Sequence, residues 1–266
     1  MAYKKTVVAF LDVLGTKENK DFDSKLRIHK AFHESMKEYQ ARDRPEASYF
    51  RKVHTFSDCA YIFHGTRSGD SNDSTSEDHL VQTALFNTSL TTLRLLSEGF
   101  LVRGGVSLSD AYQDDLGFFG PAVEEAYELE SKRAIFPRII LAHELGKRAK
   151  EFSEAAHKAL LSETNPSLCG LPQRSFLPKL VHHSDDGYYV NPLYLLEMES
   201  LVILGGKEYT HASLTASILR SIEINLERQS SDSPVRVKLE WMKEFTARSR
   251  SSLLGNSQSI AVERLP

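Results

Sequence analysis

Residues 7–15 read VVAFLDVLG. Side chains of a strand alternate between its two faces, and Val7, Val8, Phe10, Leu11 and Val13 put apolar groups on both. Such a strand belongs inside a sheet that is covered on each side. The chain is therefore expected to fold as layers around this first strand. Asp12 breaks the pattern. It sets a carboxylate at the tip of a buried strand, just before the turn that Gly15 marks.

The remaining bulk properties narrow the class. The 266 residues suffice for one large domain or two small ones, and 41% hydrophobic with 26% charged residues is usual for a soluble globular protein. A net charge of −3 offers no global positive field, so neither nucleic acid nor an anionic membrane is expected as a partner. A local basic site for phosphate is compatible with that charge. Cys59 and Cys169 are the two cysteines, and their spacing suits neither a disulfide framework nor a structural zinc site. The opening MAYKKTVVAF does not read as a secretory signal, and no apolar run reaches the ~20 residues that span a bilayer. A reducing cytoplasm is the expected compartment.

Apolar periodicity then orders the elements. Ile28, Phe32, Met36 and Tyr39 recur at helical spacing, and SYFRKVHTFSD and CAYIFHG read as two strands joined by a tight turn at Ser57-Asp58. GTRSGDSNDSTSED has no apolar residue and reads as a flexible surface loop without chemistry. A helix is predicted over about 78–98 with Leu80, Val81, Ala84, Leu85, Leu93 and Leu96 inward. A strand, FLVRGGVSLSD, follows, and then a helix entered at Pro121, where a first turn accepts proline. FPRIILA reads as a buried strand, HELGKRAKEFSEAAHKALL as a helix, and SFLPKLVHHSDDGYYVNPLYLL as a hairpin around Asp186-Gly187. Two helices, roughly 211–229 and 234–251, close the chain.

The order β-α-β-β-α-β is the ferredoxin-like pattern. The expected class is α+β, with a mostly antiparallel sheet and helices on one face. Residues 1–165 would form the core, and residues 166–266 a C-terminal hairpin and helical extension packed on it. In that topology the first strand and the following hairpin lie side by side at the sheet centre, which brings Asp12 and Asp58 together. Two adjacent carboxylates repel unless a cation or a proton lies between them. Magnesium or manganese is the usual answer at neutral pH, its remaining ligands coming from substrate phosphates and water. Gly15 lets the backbone approach a ligand, and the amides of Leu14 to Thr16, ahead of a helix, can donate to phosphate. Each aspartate also has a purely structural reading, Asp12 as a helix cap and Asp58 as a turn residue.

Three stretches together resemble the class III nucleotidyl cyclases. FLDVLG (Phe10 to Gly15) is similar to their first metal motif, Phe-x-Asp-Ile-x-Gly. VHTFSDCAY (Val53 to Tyr61) is similar to the hairpin motif carrying the second metal aspartate, with Ser57 in place of its glycine. VRGGVSLSD with GFFGPAVEEA is similar to the strand and the Trp-Gly-x-x-Val-Asn-x-Ala helix start. The likeness covers about residues 5–142. It is closer still to the bacterial antiphage pyrimidine cyclases of the Pycsar type, through RGG, FGPAVEEAYELESKRAIFPRII and the Lys-x-x-Trp element Lys238 to Trp241.

The resemblance implies conversion of UTP or CTP into the 3′,5′-cyclic monophosphate. That product is an infection signal read by a separate effector protein, which the cyclase does not bind directly. It implies two divalent ions, Mn2+ or Mg2+, held by Asp12, Asp58 and the Val13 carbonyl, and a symmetric homodimer with sites at its interface. Leu14, Gly15 and Thr16 would line the triphosphate beside Phe10. Phe50, Lys52 and His54 share one strand face with Asp58, where Phe50 would stack on the base and Lys52 or His54 would bond its edge; His54 reads equally as an ordinary strand histidine. The family's transition-state asparagine and arginine are replaced by Glu124 and Glu128. Arg138 and Arg103 are the candidates to supply that charge, while Arg103 pairing with Glu125 or Glu130 is the structural alternative. Tyr127, Glu128 and Glu130 are an alternative polar network shaping the pocket. UTP is the expected substrate, uridylate producers being the commoner type. A cytidylate cyclase, a silent nucleotide sensor and a purely structural protein are the other readings.

Overall fold

The computed structural model describes residues 2–16, 21–41, 49–66, 74–162, 179–197 and 202–254. Cys169 and the 165/166 division between core and extension lie outside them. The fold is α+β, with six α-helices among the described residues against a mostly antiparallel sheet.

Strand β1 (Lys4–Val13) lies in the sheet interior, with antiparallel neighbours on both sides: β3 (Cys59–Thr66) and β4 (Val102–Gln113). Its residues from Val7 to Leu11 are all buried, as the apolar run demands. Alternation sorts them. Val7, Ala9, Leu11 and Val13 enter the larger core with α1 (Phe22–Ala41) and α2 (Ser74–Ser97). Val8 and Phe10 enter a second core under α3 (Pro121–Glu128), so helices cover both faces of the sheet and not the one face expected, because β1 is apolar on both. Each large apolar side chain buried in this way contributes roughly 1.5–3 kcal/mol, so both helical layers are fixed to the sheet through one strand.

Strand β2 (Tyr49–Phe56) pairs with β3, and the first four strands take the order β2-β3-β1-β4. That is the β-α-β-β-α-β connectivity read from the sequence, with one difference. β2 stands at an end of the strand order, and only its partner β3 touches β1. After the two-residue strand β5 (Phe118–Phe119) come α3, a π-helical turn (Leu129–Arg133), β6 (Ile139–Leu141), parallel to β4, and α4 (His143–Ser162). The hairpin β7 (Val181–Ser184) and β8 (Gly187–Val190) extends the same sheet through β6, its turn formed by Asp185 and Asp186, one residue earlier than expected. A 3-10 helix (Pro192–Glu197), a hairpin of β9 (Val202–Leu204) and β10 (Lys207–Tyr209), α5 (His211–Glu227) and α6 (Pro234–Leu254) complete the chain.

Two further expectations are corrected. Part of the presumed loop 65–78 is ordered: β3 runs through Thr66 and α2 begins at Ser74. Glu77 and Asp78 within it both pair with Arg148 of α4. The β9–β10 hairpin was not anticipated, because three-residue strands carry too little alternation to register.

Glycines 104 and 105 in β4 are required by packing. A Cβ on Gly104 would overlap the Phe10 carbonyl, and one on Gly105 would overlap the Ala126 carbonyl of α3. α3 therefore sits unusually close to the sheet, over the face that carries Phe10 and Asp12. Among the described residues no helix is long and apolar enough to cross a membrane.

Candidate functional site

Asp12 and Asp58 are brought to one place by backbone bonding. The Val13 N–H at the end of β1 donates to the Asp58 carbonyl in the β2–β3 turn at 3.1 Å. Asp12 is the register partner of Cys59, the residue after Asp58. Both carboxylates act on the Cys59 thiol, which burial first, then Asp12 and Asp58, push up to about 11. The capping alternative for Asp12 fails on geometry. α1 begins at Phe22, and Asp21 caps it, its Oδ2 accepting from the Ser24 N–H at 2.8 Å.

The turn is strained. Ser57 has φ +57, a left-handed conformation that disfavours residues with a Cβ. Glycine is the usual residue at the first central position of such a two-residue hairpin turn. Ser57→Gly is expected to stabilise the protein by about 0.5–1 kcal/mol, the relief of roughly 1–2 kcal/mol being partly offset by glycine's greater freedom in the unfolded chain. A denaturant midpoint that falls in this variant, with unchanged slope, would refute the assignment of strain.

Cations balance the acids. Arg103 Nε lies 3.2 Å from Asp12 Oδ2 and 2.5 Å from Glu130 Oε1. The expected ion pair of Arg103 is thus with Glu130, not Glu125. Burial raises the Glu130 carboxyl above its ordinary value; Arg103 opposes the shift and Asp12 adds to it. Lys25 of α1 places Nζ 3.8 Å from Asp58 Oδ2 and donates to the Thr16 carbonyl at 3.2 Å. Lys238 of α6 also feels this cluster. Burial and then Arg103 depress its ammonium, while Asp12 and Glu130 pull it back.

The other predicted residues divide. Gly15 is exposed at φ +77, and among the described residues no atom lies within 4 Å of where a Cβ would stand. The Leu14 N–H donates to the Leu101 carbonyl at 2.9 Å and is already used, and α1 does not begin directly after Thr16. Thr16 is buried and donates its hydroxyl to the Val13 carbonyl at 3.1 Å. Phe10 is buried against Tyr61 and Tyr127, ring centroids 4.5 and 5.6 Å away.

On β2, Phe50 lies over Gly65, and Lys52 Nζ donates to the Asp114 carbonyl at 2.6 Å and pairs with Asp115 at 3.0 Å. The His54 ring packs on Phe118 at 4.9 Å, and burial, then Lys52, lowers its pKa. Arg138 is buried and donates to Asp186 Oδ2 at 2.7 Å, with its guanidinium over Phe136 and Tyr189. Its contacts lead to the β7–β8 turn, whereas Arg103 bonds Asp12 directly. Glu124 and Glu128 are exposed, and Glu128 pairs with Lys132 at 2.7 Å. The polar network expected of Tyr127, Glu128 and Glu130 reduces at this point to Glu130.

Lys25 was missed, and Lys238 was read only as part of the Lys-x-x-Trp element, yet each left a signal of its place here. Lys25 falls on the apolar stripe of α1 with Ile28, Phe32, Met36 and Tyr39. Lys238 precedes Trp241 and Phe245 at i+3 and i+7, two rings that stack at 5.1 Å. A lysine on the inward face of a helix needs a partner.

Among the described residues no group of three or more His, Cys, Asp or Glu side chains is arranged to hold a metal ion. A magnesium- or manganese-class ion needs only one or two protein carboxylates, the rest of its shell coming from phosphate oxygens and water. The Val13 carbonyl keeps a second lone pair beside the one Thr16 uses. No protein-family model matches the chain, and no curated protein matches it.

Proposed function

We propose that the chain is a class III-type pyrimidine nucleotide cyclase that converts UTP into 3′,5′-cyclic UMP and pyrophosphate. The observation that carries this reading is the backbone pairing that seats Asp12 opposite Cys59 and ties Val13 to the Asp58 carbonyl, beside the exposed Gly15 turn. The motif resemblance assigned metal binding to the same two aspartates. In the reaction the substrate's 3′-oxygen forms a bond to the α-phosphorus, the α–β bridging bond breaks, and the 3′-hydroxyl proton is released.

Asp12, Asp58 and the Val13 carbonyl would hold two Mn2+ or Mg2+ ions, which when bound neutralise the triphosphate and acidify the 3′-hydroxyl. Gly15 leaves the backbone open to phosphate. Glu130 holds Arg103 beside Asp12, poised to balance charge there, and Lys25 does the same for Asp58. Arg138 stays a proposed charge donor, but Arg103 has the better position. Phe50, Lys52 and His54 on β2 are proposed to face the base. Exposed Phe56 of β2 and Tyr127 of α3, 81% and 50% accessible, are proposed to be covered in a symmetric homodimer. The cyclic nucleotide would act as an antiphage message to a separate effector.

One observation favours a second reading, a silent nucleotide sensor: exposed Glu124 and Glu128 stand where the family uses asparagine and arginine. Incubation of the purified protein with each of the four ribonucleoside triphosphates and Mn2+ decides between them. Cyclic UMP with stoichiometric pyrophosphate is the expected product. Cyclic CMP alone would reassign the base, and binding without product would leave the sensor.

A further inference from the structure

Away from the carboxylate pair, α1 carries two histidines one turn apart on the face that meets β2. His29 and His33 have the i, i+4 spacing by which a helix presents two imidazoles to one metal ion, and their ring centroids are 4.3 Å apart. Both turn a nitrogen toward one oxygen. His33 Nε2 is 3.1 Å from Thr55 Oγ1, and His29 Nδ1 is 3.4 Å from the same atom.

A tetrahedral zinc site with bonds of about 2.0–2.1 Å has edges of about 3.3 Å between neighbouring ligand atoms. The hydrogen bonds of both imidazoles to the Thr55 hydroxyl, 3.1 and 3.4 Å long, already hold these atoms at separations close to two such edges. His29 is exposed and His33 partly so, which leaves an entry path from solvent and open positions for water.

We infer that His29, His33 and Thr55 form a binding site for a zinc-class divalent transition ion. Imidazole suits zinc and nickel, whereas magnesium and manganese prefer carboxylate and phosphate oxygen, so this site and the aspartate pair select different metals. An ion here ties α1 to β2, the strand that ends at the Ser57-Asp58 turn. The inference stands apart from the cyclase reading, because its readout is metal binding, not product.

The test is a calorimetric titration of the full chain with Zn2+ in excess Mg2+, which occupies oxygen sites and leaves imidazoles free. One equivalent is expected in the wild type. His29→Asn or His33→Asn alone is expected to weaken it at least about tenfold. The double variant should abolish it, while His182→Asn/His183→Asn keeps it. Zinc titration of the wild type followed by histidine ring NMR, with selective shifts at His29 and His33, guards against a variant that fails to fold. Wild-type protein that takes up no zinc, undiminished binding in a folded double variant, or shifts at other histidines instead would overturn the proposal.

Discussion

In Asp58→Ala, cyclic nucleotide formation is expected to fall by on the order of 10³-fold, the scale on which removing one preorganised electrostatic group slows an enzyme. The effect should be confined to chemistry. The bond tying the turn to β1 uses the Asp58 carbonyl, which alanine keeps, and the Lys25 pair lost with the carboxylate spans 3.8 Å at a partly exposed site. Such a pair contributes at most about 1 kcal/mol. Circular dichroism and the denaturant midpoint should therefore stay near wild type. Asp12→Asn should behave alike in rate, and it also releases Arg103 to Glu130 alone. Product from Asp58→Ala at the wild-type rate would remove Asp58 from the site and with it the reading of a paired-carboxylate cyclase.

Acid is expected to destabilise the fold through His64. Its side chain is fully buried in β3, Asn87 Nδ2 lies 3.4 Å from its Nε2, and its Nδ1 has no hydrogen-bond partner among the described residues. Burial, then Arg51, lowers its pKa from 6.5 to about 3. In the unfolded chain the ring titrates normally. Above pH 6.5 both states are neutral and the full stability is present. Between pH 6.5 and 3 the unfolded state takes a proton that the folded state refuses, so stability falls as pH falls. The loss approaches 1.4 kcal/mol per pH unit and totals about 5 kcal/mol. Denaturant unfolding between pH 7 and 4 measures it. The slope of wild-type stability against pH should exceed that of His64→Leu by nearly one proton, and equal slopes would show that His64 is not held neutral.

Much of the core was legible because its signals are local. The inward positions read on α1 and α2 are all buried, and Pro121 does open α3, since periodicity and proline chemistry act over a few residues. The Ser57-Asp58 turn was legible for the same reason. The edge position of β2, the turn at Asp185-Asp186 and the β9–β10 hairpin were not, because strand order and short pairings are decided between segments. The helix-cap reading of Asp12 was lost to Asp21, which lies nearer the true start of α1.

By itself the amino-acid order determined an α+β chain with β1 buried on both faces, and it singled out Asp12 as the polar exception to that apolar pattern and Asp58 as a turn residue beside it. Only the tertiary structure decided what surrounds them. Arg103, Glu130, Lys25 and Lys238 come from four different elements, and Arg138 turns instead to Asp186. The physical reason is range. Backbone preference and hydrophobic periodicity are written into neighbouring residues, whereas a charge finds its partner through space, and that partner is set by how the layers pack.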